Sequence, residues 1–276
     1  MTVSAAIRAA TDTLAGTSDT ARLDAELLMA HVLGVSRSDM LLRHMDGAVP
    51  QEFEALLDRR AACEPVAYIT GEQEFYGLQF EVAPGILIPR GDSETLIEAA
   101  REVFEDRDPP ANVLDLGTGS GALLLAALSI FPKARGHATD KSDAVAAVAA
   151  RNIRRHGAGR VIEFTQADWN EAGWADALGT FDLILCNPPY VEEAAELDPD
   201  VRDFEPASAL FAGKEGLDDY RVLIPQLGKL LNEGGVAIFE IGHTQADAVS
   251  KIAQDCGFAV ELRKDLANRP RCAILR

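Results

Sequence analysis

The sequence predicts an α/β chain: a doubly wound, mostly parallel seven-stranded sheet with an antiparallel C-terminal edge, preceded by a small N-terminal helical bundle and joined to it by a β-hairpin. Three observations carry this. The first 75 or so residues show only helix-period apolar patterning. From Ala111 onward, strand-length apolar runs alternate with helical segments, the pattern of a parallel sheet covered on both faces. The chain then closes on two strand-like segments with no helix between them, as an antiparallel edge requires.

The elements follow in order. "DTARLDAELLMAHVLG" sets Leu23, Leu27, Leu28 and Val32 on one helix face, with Gly34 as a stop. "SRSDMLLRHM" and "QEFEALLDRRAACEP" repeat the pattern, punctuated by Pro50 and Pro65. Glu74 to Arg90, "EFYGLQFEVAPGILIPR", mixes aromatic and β-branched residues with Gly and Pro and reads as a hairpin. "DSETLIEAAREVFE" is a helix with an acidic, capped start. "ANVLDL", "RGHATD", "RVIEFTQ", "FDLILCN" and "GVAIFEI" are strands; "GALLLAALSIF", "SDAVAAVAARNIRRHG" and "TQADAVSKIAQDCG" are helices. "LDDYRVLIPQLGKLL" is a helix that Pro225 kinks. "AVELRKDL" and "RCAILR" complete the sheet. The boundaries are 1–73 for the helical region, 74–90 for the hairpin linker and 91–276 for the α/β domain.

The 276 residues carry a net charge of −18. Residues 1–75 hold six Arg and no Lys against twelve Asp and Glu, a net of −6. Phosphate contacts need clustered Lys and Arg, so direct nucleic-acid binding is not expected, while a basic protein partner or a small cationic ligand remains open. The four cysteines form no C-x-x-C pair and read as reduced and mostly buried; the five histidines show no ligand spacing, so no metal is expected. The longest apolar run, Ala122 to Phe131, is too short to span a membrane. With no apolar signal segment at the start, a cytoplasmic protein is expected; a monomer is expected as well.

The chemistry concentrates at the ends of the strands. "DLGTGSG", Asp115 to Gly121, joins a strand directly to a helix. Gly117, Gly119 and Gly121 let the backbone bend sharply and a ligand approach it. Gly117, Gly119 and Ala122 also satisfy the G-x-G-x-x-A dinucleotide fingerprint, which would suit a nicotinamide-dependent dehydrogenase or a nucleotide sensor. Three acids favour a different nucleoside. Asp115, before the glycines, repels a pyrophosphate but attracts a cation. Asp140, ending the second strand, can accept both ribose hydroxyls. Asp168 and Trp169, after the third, supply an acceptor and an aromatic plane for an adenine. Such a pocket suits S-adenosylmethionine, whose sulfonium and ammonium groups are positive.

The fourth strand ends in "NPPY". Pro188 and Pro189 lack N–H groups and have fixed φ, so the loop is stiff. The Asn187 side-chain carbonyl and a loop carbonyl can accept both hydrogens of one –NH₂ group, and Tyr190 can lie against its plane. The site reads as a cradle for a side-chain amide or for the exocyclic amine of a base. It works by electrostatic positioning, because Asn has no useful pKa.

With these residues in view the chain resembles the class I S-adenosylmethionine-dependent methyltransferases. More narrowly, it resembles the bacterial family that methylates the glutamine of the Gly-Gly-Gln loop of peptide-chain release factors. The likeness spans nearly the full length and rests on "LIPRGDSETLIE", "VLDLGTGSGALLLAAL", "ATDKSDAVAAVAARN", "QADW", "LILCNPPYV" and "FEPASALFAGKEGLDDYR". It implies a helical substrate-recognition domain and cofactor contacts at Gly117, Thr118, Gly119, Ser120, Gly121, Asp140, Trp169 and Asn187. It implies glutamine binding by Asn187, Pro188, Pro189 and Tyr190, catalysis by Asn187, Pro188 and Tyr190, and Arg90 of "IPR" near the site. Gly91 stands where the family has Pro, Asn268 and Pro270 where it has Gly and Asp, and His243 where it has Tyr. A sister enzyme acting on ribosomal protein L3 shares the motifs, but Asp92 and Glu94 keep the release-factor spacing. An adenine or cytosine amino-methyltransferase would use the same cradle on a flipped base, against the acidic charge and without a target-recognition domain.

Overall fold

The computed structural model describes residues 1–157 and 159–276. They form two compact units: residues 1–72 with 197–204, and residues 73–196 with 205–276.

The first unit contains α1 (Val3–Leu14), α2 (Ala21–Leu33), α3 (Arg37–Arg43), α4 (Glu52–Ala61) and α5 (Val66–Thr70). The Thr2 and Ser36 hydroxyls accept N–H bonds at the starts of α1 and α3, and Gly34 closes α2 in the left-handed conformation. The core gathers Val3, Ile7, Ala25, Leu28, Met29, Met40, Phe53 and Ile69. Here the expected α2 face is corrected: Leu28 is buried, but Leu23 and Leu27 are exposed. The helix turns Ala21, Ala25, Leu28 and Met29 inward instead, and carries Asp24 in with them. Asp24 is tolerated because Arg60 donates to it at 2.7 Å and the Ser18 and Thr20 hydroxyls donate at 2.8 Å each. A short helix, α9 (Pro199–Phe204), lies in this unit although far along the chain, and its Asp200 stands 3.5 Å from Arg60.

The second unit opens with β1 (Glu72–Phe75) and β2 (Leu78–Glu81), whose first residue, Glu72, clusters with the helices. Tyr76 and Gly77 turn the hairpin at φ of 51° and 75°, as a two-residue loop with both central residues left-handed demands. The pairing is shorter than the expected span to Arg90: residues 82–90 form no strand and turn at 84–86, and Pro84 and Pro89 offer no N–H to a ladder.

The sheet follows. Among the described residues it has seven strands in the order β5 (Ile162–Gln166), β4 (Arg135–Asp140), β3 (Asn112–Leu116), β6 (Phe181–Cys186), β7 (Leu231–Glu240), β9 (Pro270–Leu275), β8 (Val260–Lys264). The strands from β5 to β7 are parallel, and β9 slots antiparallel between β7 and β8. Alternate side chains of the central strands feed two cores. Val113, Leu183, Leu185, Val236 and Ile238 pack under α6 (Glu94–Val103) and α7 (Ala122–Ile130). Leu114, Ile184, Cys186, Ala237 and Phe239 pack under α10 (Asp218–Leu223), α11 (Leu227–Leu230) and α12 (Ala246–Asp255). Burial on both faces explains why these strands read as continuous apolar runs. Pro225 does more than kink its helix: a 3₁₀ turn at Ile224–Gln226 separates α10 from α11. Only two of the four free cysteines are buried, Cys186 and Cys272; Cys63 is half-buried and Cys256 exposed.

One side chain ties the hairpin to the glycine loop. Asn152, fully buried on α8 (Asp143–His156), accepts the Glu81 N–H at 2.8 Å. Its amide donates to the Glu81 carbonyl at 2.9 Å and to the Ser120 carbonyl at 2.8 Å. Asn152→Ala leaves three backbone groups unpaired in a dry place and is expected to lower stability by about 2–3 kcal/mol, read from urea unfolding. A loss below about 0.5 kcal/mol, the range of a surface change, would show that the clamp carries no weight.

Candidate active site

In a parallel sheet, loops on the carboxyl side of the strands gather at one edge, and a cleft opens where the strand order reverses. Here β3 is that point, flanked by β4 and β6. The cleft encloses about 980 Å³ including its open mouth, room for a nucleoside bearing an amino-acid tail.

The glycine loop forms one wall. The Thr118 N–H bonds the Thr139 carbonyl at 2.9 Å and the Gly121 N–H the Thr118 carbonyl at 2.8 Å. The Gly119 N–H donates to Asp140 at 3.2 Å. Gly117 and Gly119 have φ of +70° and +54°, conformations that favour glycine. A side chain at Gly117 would also meet the Trp169 ring at 3.1 Å, so the missing Cβ lets the indole close over the loop. The Trp169 N–H donates to Asp219 at 2.7 Å, which fixes the plane of the ring. Asp140, at the end of β4, is anchored by the Gly119 and Ser142 amides, and burial raises its pKa against their pull. Asp168 is pushed the other way, lowered first by the Asn170 N–H.

Gly117, Thr118, Gly119, Ser120, Asp140, Asp168, Trp169, Asn187 and Pro189 all line this cleft. The other expected site residues stand back from it. Asp115 is buried behind the loop, where it accepts the Thr118 hydroxyl at 2.6 Å, and burial raises its pKa to about 7. Gly121 begins α7. Arg90 is paired with Glu205 and donates to the Ile88 carbonyl at 3.2 Å. Pro188 is buried beside Asn187.

Tyr190 is held from two sides. Its hydroxyl donates to Glu240 Oε1 at 3.0 Å, and its carbonyl accepts from Gln245 Nε2 at 2.9 Å. The same Gln245 amide reaches the Glu215 and Gly216 carbonyls, at 3.3 and 3.1 Å. The Ser93 hydroxyl, on the cleft wall, donates to Glu240 Oε2 at 2.5 Å, and Asn187 Nδ2 lies 3.4 Å from Ser93 Oγ. Sequence reasoning missed Ser93, Glu240 and Gln245. One signal was available: Glu240 ends an apolar strand, "VAIFE", at the carboxyl edge where ligands bind.

Loop amides, carboxylates and an indole at adjoining strand ends fit a cationic nucleoside. Together with the seven-stranded sheet they define a class I methyltransferase that uses S-adenosylmethionine. Comparison with known proteins sharpens this. A family model described as a methyltransferase domain matches residues 107–265, and one described as the PrmC N-terminal domain matches residues 5–71. A release factor glutamine methyltransferase of Cereibacter sphaeroides is 40% identical over 279 residues, covering 98% of this chain and 97% of its own. One of Rhodospirillum rubrum is 40% identical over 261 residues, covering 92% and 78%. The crystal structure of a methyltransferase from Pyrococcus furiosus shares the fold, with a TM-score of 0.52 at 18% identity over 79% of this chain and 96% of that one. This chain belongs to the release factor glutamine methyltransferases.

The Asp115 carboxyl sets a pH dependence. Its ordinary value is 3.8 and its folded value about 7, so between those values the native state keeps a proton that the unfolded chain has lost. Its contribution to stability is full below pH 4 and is lost as pH rises through 7, at about 1.4 kcal/mol per unit. Asn cannot ionise and still accepts the Thr118 hydroxyl. The unfolding free energy of Asp115→Asn relative to wild type should therefore rise by about 2–3 kcal/mol between pH 5 and pH 8, with no ligand added. A difference independent of pH would show that Asp115 is ionised throughout.

Proposed function

We propose that this protein transfers the methyl group of S-adenosylmethionine to the side-chain amide nitrogen of the glutamine in the Gly-Gly-Gln loop of peptide-chain release factors. The curated relatives are named for a release factor glutamine. The observation that carries the reading is the Asn187-Pro188-Pro189-Tyr190 loop, set at the end of β6 beside the glycine loop of β3.

The cofactor would be held by Gly117, Thr118, Gly119 and Ser120, with Asp140 toward the ribose and Asp168 and Trp169 toward the base. When bound, it supplies an electrophilic methyl group. The rest falls to the chain. An amide nitrogen is a weak nucleophile because its lone pair is delocalised into the carbonyl. Asn187 Oδ1 and the Pro188 carbonyl accept its two N–H bonds, which pushes electron density back onto nitrogen. Tyr190 lies against the amide plane. The prolines keep the acceptors from drifting, so the orienting entropy is already lost in the folded protein. The leaving proton needs no strong base before attack, because the nitrogen becomes acidic only once methylated. Arg90, clamped by Glu205, braces the linker at the rim. The helical domain grips the protein substrate, the enzyme works as a cytoplasmic monomer, and nucleic acid is not its target.

Asn187→Ala tests this directly. With a purified bacterial release factor as substrate, the variant should bind S-adenosylmethionine within a factor of about ten of wild type and lose about a hundredfold or more in kcat. Near-normal turnover would remove the assignment.

A further inference from the structure

The Asn187 amide is useful only in one of its two orientations. Rotated by 180°, it would present an –NH₂ to the substrate –NH₂, a donor facing a donor. Nothing in Asn itself selects the productive orientation, because the two ends have nearly the same shape.

The selection comes from a chain of groups behind the cleft. We infer that Glu240, acting through Ser93, is the positioning residue that fixes the amide orientation of Asn187. As a carboxylate, Glu240 can only accept. One oxygen takes the Tyr190 hydroxyl and the other the Ser93 hydroxyl. Burial raises the pKa of Glu240, and the Ser93 and Tyr190 hydrogen bonds and the charge of Arg271 pull it back toward the carboxylate. Ser93 has a single hydrogen, and Glu240 takes it. Toward Asn187, Ser93 can then only accept. The Asn187 –NH₂ turns to Ser93 Oγ, 3.4 Å away, and Oδ1 is left for the substrate.

Ser93 gives independent support. It ends the 3₁₀ turn Gly91–Ser93 that leads into α6, and its hydroxyl caps no helix N–H among the described residues. The hydroxyl is turned to Glu240, and Ser93 is 4% exposed. Ser93→Ala loses no cap bond but takes one donor from the buried Glu240 carboxylate, so its fold is checked by the NMR spectrum, and Ser93→Thr keeps the donor.

This inference rests on the proposed transfer to a glutamine amide, and the experiment separates the two. Ser93→Ala, Ser93→Thr and Glu240→Gln are assayed beside wild type, and the Asn187 side-chain amide is followed by ¹⁵N–¹H NMR, assigned by its loss in Asn187→Ala. Ser93→Ala and Glu240→Gln should lose about ten- to a hundredfold in kcat. The KM for S-adenosylmethionine should stay within about threefold, because the cofactor wall is untouched. Ser93→Thr, which keeps the hydroxyl, should recover most of the rate. The Asn187 amide signals should shift in Ser93→Ala and Glu240→Gln and stay in place in Ser93→Thr, with no substrate present. Unchanged kcat and unchanged amide signals in Ser93→Ala would overturn the inference. So would a loss of rate that Ser93→Thr fails to recover while the amide signals stay in place. Should wild type fail to methylate a release factor, the functional reading falls, and the amide signals alone decide whether Ser93 and Glu240 orient Asn187.

Discussion

A carboxylate buried at the end of a central strand has to be surrounded by donors, and much of this active site is what surrounds Glu240. The group is 1% exposed, and burial raises its pKa against the pull of Ser93, Tyr190 and Arg271. An unpaired charge there would cost several kcal/mol. The hydroxyls that relieve that cost come from the start of α6 and from the loop after β6, and the Tyr220 hydroxyl of α10 donates to the Glu240 backbone carbonyl at 2.7 Å. Three segments distant in sequence are thereby drawn to one point. Gln245 adds a second hold on the Tyr190 backbone, so the Asn-Pro-Pro-Tyr loop is braced from behind at both its side chain and its chain path.

The other half of the cleft is built by a different constraint. Left-handed glycines let the loop after β3 turn tightly enough for its amides to bond Asp140 and Thr139, and for the Trp169 ring to close against Gly117. Asn152 then ties this loop to the hairpin through hydrogen bonds to Glu81 and Ser120. The two halves meet because β3 and β6 are hydrogen-bonded neighbours, with Leu116 paired to Cys186. Asp115 and Asn187, each just past or near its strand end, are therefore close by topology and not by sequence.

Much of this was legible in the residues. Continuous apolar runs such as "FDLILC" marked doubly buried strands, and each motif at a strand's end landed on the cleft rim because a parallel sheet puts all such ends together. Periodicity failed where polar partners overrode it. Asp24 could turn inward on α2 only because Arg60, thirty-six residues away, reaches it, and Leu23 and Leu27 were left outside. Helix α9 joins the first unit through a pairing of Asp200 with Arg60 that no local signal announces. The helix that follows Ser93 was legible, but local pattern gives no hint that the Ser93 hydroxyl serves a glutamate 147 residues away. Distant hydrogen bonds are what a single sequence hides, and in this protein they position the motifs that a sequence shows.

The central claim is that this scaffold presents one planar amide to a methyl donor. The most direct measurement is to incubate the protein with S-adenosylmethionine and an intact bacterial release factor, and to map the added methyl by mass spectrometry of the digested factor. A single methyl on the side-chain amide of the Gly-Gly-Gln glutamine, absent when that glutamine is replaced, is the predicted result. A methyl found elsewhere on the factor, or on ribosomal protein L3 and not on the factor, would contradict the account.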